Sequence, residues 1–224
     1  MSVRTYKMSR VEELYHHYIY DTLRKQGYPK YAELFLNFDL MLDTRVDKIA
    51  WTKPGKALIG INPTVDGQQA GLLIRHELLH NFLDHRARLI EHLRKRHAEL
   101  GDLDDMGIDE LNKYLDREAN TKKVHTPYNI AGDFEISNLG YTEEDKEIVR
   151  NIKLNGRLVS GLVTEDSYPD WTNLSLEEMY DKLQEVANRD EEKAKEDAKD
   201  GGVVIGSFIN EKSFHGIDGR TYGA

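Results

Sequence analysis

The chain has 224 residues, 39% hydrophobic and 32% charged, a balance that suits one soluble core with appendages and excludes wholesale disorder. Forty acidic against thirty-one basic residues leave a net charge of -9, which argues against nucleic-acid or polybasic membrane binding. The absence of cysteine excludes disulfide scaffolds, thiolate zinc sites, iron–sulfur ligation and cysteine nucleophiles. No apolar stretch is long enough to span a bilayer, and Met1-Ser2-Val3-Arg4 leads into no apolar export core, so a cytoplasmic protein is expected.

Ser9-Arg10-Val11-Glu12 has the Ser-x-x-Glu spacing of a capping box. Val11, Leu14, Tyr15, Tyr18, Ile19 and Leu23 follow at helical spacing, and Gly27 is placed to end that helix. The segment after Pro29, with Ala32, Leu34, Phe35, Phe38, Leu40 and Met41, reads as mostly helical and buried. Two apolar runs, Lys48 to Trp51 and Ala57 to Ile61, then flank Lys53-Pro54-Gly55-Lys56, whose Pro-Gly pair fits a type II turn. A hairpin is expected, closed by Asn62-Pro63.

The longest helix is expected from Gln68 to Leu100, with a break near Ala87. Its end is basic, with five Arg/Lys against two Glu from Arg86 to Leu100, whereas Gly101 to Glu118 carries seven acidic and two basic residues. That reversal fits an exposed acidic loop and a short helix, a solvated surface rather than a strong pairing, because exposed ion pairs contribute little. A short helix, Asn129 to Leu139, is expected after Pro127, and Gly156 to Pro169 reads as irregular chain. Ser175-Leu176-Glu177-Glu178 repeats the cap spacing ahead of Met179, Tyr180, Leu183 and Val186. From Asn188 to Asp200 ten of thirteen residues are charged, so this extension should face solvent. The organisation expected is a domain over residues 1–187 and, over 188–224, a charged helical extension with a glycine-rich tail suited to docking a protein partner.

His76-Glu77-Leu78-Leu79-His80 carries the chemistry. Residues four apart on a helix share one face, so the two imidazoles can chelate one zinc ion while Glu77 takes a proton from water. The neighbours Ala70, Leu72, Leu73, Ile74, Phe82 and Leu83 are apolar, which makes this a core helix. Histidine and glutamate are costly to bury there without partners. A catalytic zinc takes three protein ligands and keeps one position open. His85 lies five residues past His80, turned about 140° away on an ideal helix, and ligates only if the helix ends or bends first. Glu135 on a second helix is another candidate.

Asn62-Pro63, the run from His76 through His85 to Arg88, and Asn129-Ile130-Ala131-Gly132-Asp133-Phe134-Glu135-Ile136-Ser137 together resemble a metallopeptidase domain of bacterial and phage proteins. In bacteria that domain often precedes a von Willebrand factor A-like module. The resemblance covers roughly residues 10–187 and reaches Glu177-Glu178-Met179-Tyr180-Asp181-Lys182-Leu183. It implies an α+β fold, a zincin-like metallopeptidase core that is mostly helical with a small sheet or hairpin. It also implies zinc held by His76, His80 and Asp133, Glu77 as base, and His85 as a further ligand or a support for one. Two positions depart from the pattern. Gly132 replaces a small Ala or Cys, a change read as sterically mild, and Ser137 replaces Asn, which touches a hydrogen bond behind the ligands. The chain leaves no length for a von Willebrand module, as expected of a free-standing, phage-encoded copy in a host cytoplasm.

The function expected is zinc-dependent hydrolysis of a peptide or protein substrate. Ala57 to Ile61 would serve as an edge strand that aligns the extended chain. His125 and Tyr128 are candidates to protonate the leaving group or hold a tetrahedral intermediate. The alternatives are a silent zincin-like binding or virion-assembly module with a structural metal, and a hydrolase of a non-peptide amide such as cell wall. His16 and His17 read as surface residues, His92 and His97 as part of a basic helix end, Trp51 as core or rim, and Trp171 as a pin for its loop.

Overall fold

In a computed structural model describing residues 6–44, 49–53, 56–100, 106–154, 157–158 and 169–199, a three-stranded sheet lies against the helix that carries the two motif histidines. The Pro54-Gly55 turn, the start of the acidic loop (101–105), most of the 156–169 stretch and the glycine-rich tail fall outside the described residues.

Helix α1 (Arg10–Lys25) begins on the expected capping box, with both reciprocal bonds present, and Gly27 follows at φ +85°. Ile19 and Leu23 enter the core, but Val11 stays 65% exposed and Leu14 and Tyr18 are exposed too. The apolar spacing therefore found the helix and overstated its buried face. His16 is buried, contrary to expectation. Its ring stacks on Phe35 at 4.1 Å, and its Nε2 lies 3.3 Å from the Phe35 carbonyl and 3.1 Å from that of Phe38.

Helix α2 (Pro29–Phe35) is shorter than the sequence pattern implied, because the chain turns into strand β1 (Asp39–Leu42). β1 pairs in parallel with β3 (Leu58–Ile61), and β2 (Ala50–Lys53) pairs with β3 antiparallel, so the order is β1-β3-β2. The hairpin is as expected; the edge assignment is not. β3 is the central strand with both sides paired, and β2 is the edge strand that runs beside the motif helix. Gly60 faces Trp51, and a Cβ there would run into the indole, whose Nε1 donates to Asp43 at 2.7 Å.

Helix α3 (Gly67–Phe82) is capped by Asp66, whose side chain accepts from the Gln69 N–H. Every residue from Gln69 to Leu78 is buried, as in a helix surrounded by protein. Arg75 is buried with them. It donates from both terminal nitrogens to Asp145 at 2.9 and 3.0 Å and sits 3.6 Å over the Tyr28 ring. The break in the long helix falls at Leu83-Asp84, not near Ala87. Asp84 takes φ +52°, a left-handed conformation that aspartate tolerates better than most residues, and helix α4 (His85–Leu100) starts directly after it.

Helix α5 (Ile108–Ala119) precedes α6 (Lys122–Gly140), which is longer than the Asn129–Leu139 segment expected and holds Pro127 inside it. Pro127 has no N–H for the Lys123 carbonyl one turn back, and Gln184 donates to that oxygen at 2.6 Å. Helix α7 (Glu143–Arg150) opens on a Thr142/Asp145 capping box and carries Asp145 to Arg75. The short strands β4 (Lys153–Leu154) and β5 (Arg157–Leu158) pair antiparallel. A 3-10 turn (Pro169–Trp171) leads to α8 (Leu176–Lys199), with Ser175 and Glu178 forming the expected cap.

Two apolar cores form among the described residues. One joins the sheet to α1, α2 and α3 through Leu23, Phe35, Ile59 and Leu73; the other joins α4, α5, α6 and α8 through Leu93, Leu115, Phe134 and Tyr180. Trp171 packs against the second core. Helices α3 and α6 meet along the boundary between the cores, which brings polar motif residues together in a buried setting. The architecture is α+β, mostly helical, with a small sheet and a zincin-like core. Among the described residues, no helix is long and apolar enough to cross a membrane.

Candidate metal centre

His76 and His80 project from one face of α3, and Asp133 reaches them from α6. His76 Nε2 lies 3.1 Å from Asp133 Oδ1, His80 Nε2 lies 3.2 Å from the same oxygen, and the two nitrogens are 2.9 Å apart. His76 and Asp133 are each only 1% exposed. Among the described residues this is the one group of three histidine or carboxylate side chains whose donor atoms converge tightly enough for a single ion. The other Asp133 oxygen, Oδ2, is buried and has no hydrogen-bond partner among the described residues. A buried carboxylate oxygen without a partner is costly unless a cation satisfies it.

The electrostatics favour the ligand forms. Burial pushes the His76 imidazole down to about 4, so the ring is neutral at physiological pH. Burial alone would raise the Asp133 carboxyl, but its hydrogen bonds with His76 and His80 outweigh that and hold it far below the usual carboxylate range. His76 Nδ1 meets the Tyr141 hydroxyl at 2.8 Å, and burial keeps that phenol protonated by pushing it well above its ordinary value. With Nδ1 engaged there, Nε2 is the nitrogen that faces the cluster, the arrangement common behind metal-bound histidine.

His85 and Glu135, the other candidates for third ligand, bond each other. His85 Nε2 is 2.9 Å from Glu135 Oε2, and its Nδ1 is 2.8 Å from His80 Nδ1. Burial pushes the His85 imidazole below its ordinary value. Gly132 is not the mild departure expected, since a Cβ there would lie 2.8 Å from His85 Nδ1 and 3.1 Å from its Cε1. Ser137 is fully buried, and its hydroxyl has no hydrogen-bond partner among the described residues.

The cluster opens on a cavity of about 840 Å³. Glu77 lines it while only 4% exposed, as do His125 and Tyr128 of α6 and Trp51, Thr52 and Lys53 of β2. Asn81 ties the helix to the strand, donating to the Glu77 carbonyl and the Thr52 hydroxyl at 2.8 Å each. The Tyr128 ring packs on Tyr180, and its buried hydroxyl has no hydrogen-bond partner among the described residues. Burial pushes that phenol up, so it stays a neutral donor.

Sequence reasoning missed Tyr141, Asn81 and Thr52. None lies in a motif of its own, and each is recognisable only by what it touches across the fold. No protein-family model, no curated protein and no solved structure matches the chain. The arrangement supplies two imidazoles, one carboxylate and an adjacent glutamate beside an open cavity, a donor set suited to a divalent metal such as zinc.

Proposed function

We propose that the protein is a zinc-dependent peptidase. The observation that carries this reading is the convergence of His76 Nε2, His80 Nε2 and Asp133 Oδ1, with an unpartnered Asp133 Oδ2, at the wall of a cavity that also holds Glu77. The donor set fits the ion. Ligand atoms bound at about 2.0–2.1 Å around a tetrahedral zinc lie about 3.3 Å from one another. The separations here are 2.9, 3.1 and 3.2 Å. Three protein ligands rather than four are the mark of a catalytic site. Zinc held by such a set acts as a Lewis acid toward a carbonyl and lowers the pKa of water.

The chain's own residues supply the rest. Glu77 accepts a proton from the attacking water and returns it to the departing amine. Tyr128, kept as a neutral phenol by burial, and His125 line the same cavity from α6 and are the candidates to donate to a developing oxyanion or to the leaving group. The open edge of β2, at Trp51 to Lys53, takes over the aligning role that the sequence had placed on 57–61, with main-chain groups that an extended peptide can pair with. The motif resemblance to metallopeptidase domains points to the same reaction.

The test is digestion of a mixed peptide library by the wild-type protein, by E77Q and by chelator-treated protein. Cleavage that vanishes in both controls supports the proposal. Intact peptides after incubation with fully zinc-loaded wild type overturn it.

A further inference from the structure

Behind the cluster runs a line of hydrogen bonds that the hydrolytic roles do not use. His80 Nδ1 is 2.8 Å from His85 Nδ1, and His85 Nε2 is 2.9 Å from Glu135 Oε2. Arg88 Nη1 lies 3.2 and 2.9 Å from the two Glu135 oxygens. Arg88 Nε and Nη2 then fork onto Glu177 Oε1 and Oε2, both at 2.9 Å. The line crosses from α3 through α4 and α6 to the first turn of α8.

Its protons can be assigned from chemistry. If His80 Nε2 offers a lone pair to the cluster, the neutral ring carries its proton on Nδ1. His85 Nδ1 must then accept that bond, so the His85 proton sits on Nε2 and is donated to Glu135. Arg88 has only donors, and both glutamates accept from it. Every link is consistent with one arrangement, and both His85 nitrogens are used up by it. Gly132 makes the arrangement possible, because the ring of His85 rests where a side chain on α6 would begin.

We propose that His85, Glu135, Arg88 and Glu177 act as positioning residues that fix the tautomer and ring rotation of His80, with Gly132 as the cradle that lets His85 approach. The proposal rests on the metal-centre reading and deepens it. It assigns His85 as a support, not a ligand, and makes the α6–α8 packing part of what sets metal affinity.

Two readouts test it. In the zinc-loaded wild type, 15N NMR of the imidazoles should show His80 protonated on Nδ1 and His85 on Nε2, the latter a signature that a generic ion-pair network has no reason to produce. Zinc affinity, measured by competition with a chromophoric chelator, should fall about 10- to 100-fold in H85A and E135Q, the usual effect of removing a partner behind a ligand. H85Q should recover much of the loss, since the amide oxygen can accept from His80 Nδ1. G132A tests the cradle directly: a Cβ there meets the His85 ring, so the ring must shift and zinc affinity should fall, while the helical content read by far-UV circular dichroism stays that of the wild type.

Wild-type zinc affinity in both H85A and G132A, with the His80 tautomer unchanged, overturns the proposal and leaves the metal centre standing. Loss of all binding in H85A, with a changed visible spectrum of the cobalt-loaded H85Q protein, overturns it by making His85 a ligand. A wild type that takes up no zinc strikes the metal-centre reading itself, a failure visible before any variant is made.

Discussion

The Nε2 atoms of His76 and His80 stand 2.9 Å apart. Each also faces Asp133 Oδ1, so three electron-rich atoms share one small volume. Neutral imidazoles can ease this only if one ring turns its proton inward; a cation eases it for all three atoms at once. Zinc should therefore stabilise the fold. At a free concentration about 100 times Kd the gain is about 2.7 kcal/mol. For a chain of this size that corresponds to roughly 5–10 °C in melting temperature. Thermal melts in chelated and zinc-saturated buffer measure it. D133N should show little or no shift; a wild-type-sized shift in D133N would place the ion elsewhere.

Glu77 lines the cavity without belonging to the donor group. Replacing it by glutamine keeps the shape and removes the base. Turnover on a cleaved peptide should drop about 10²–10⁴-fold, the typical worth of a positioned acid–base group. Zinc content per chain, read by elemental analysis, should not change. A parallel loss of zinc would mean that Glu77 holds the ion.

The metal-free protein should lose stability on acidification. The His76 imidazole titrates near its ordinary 6.5 when unfolded, and burial pushes it down to about 4 in the fold. Above 6.5 both states are neutral at this group. As pH falls from 6.5 towards 4, the unfolded chain binds a proton that the folded chain refuses, so stability is lost across that window. A shift of this size corresponds to about 3 kcal/mol. His85, pushed down mainly by burial, adds in the same direction. Urea unfolding in chelator at several pH values gives the slope, which should be shallower in H76N. Equal slopes would remove His76 as the cause.

Arg75 and Asp145 join α3 to α7 through a two-point ion pair with side chains 3% and 5% exposed. Arg75 also donates to the Gly140 carbonyl at 3.1 Å. R75M leaves a buried carboxylate facing an apolar side chain and should cost about 3–5 kcal/mol. The double variant R75M/D145N should recover part of that loss, because the stranded charge is gone. Denaturant midpoints for the four proteins of the cycle decide it, and additive losses would show that the pair is not coupled.

The legible parts of this fold are those whose partners lie within a turn or two of chain. The Ser9/Glu12 and Ser175/Glu178 caps formed at the expected positions because cap and partner are three residues apart. The β2–β3 pairing was legible because two short apolar runs flank a Pro-Gly pair. His76 and His80 share a face for the same local reason. Asp133 was reached only through a motif resemblance, since it lies 57 residues beyond His76. The parallel pairing of β1 with β3 left no local mark, and it turned an expected edge strand into a central one.

By itself, the sequence determined the capped starts of α1 and α8, the β2–β3 hairpin and a histidine pair poised for metal, because backbone periodicity and capping act over a few residues. Tertiary structure alone decided the rest. A left-handed Asp84 turned His85 back on His80, and Gly132 left room for its ring. Pro127 stayed inside a helix whose Lys123 carbonyl bonds Gln184. These outcomes depend on which face meets which, and that is set by burial and hydrogen-bond satisfaction between segments far apart in the chain, to which local spacing is blind.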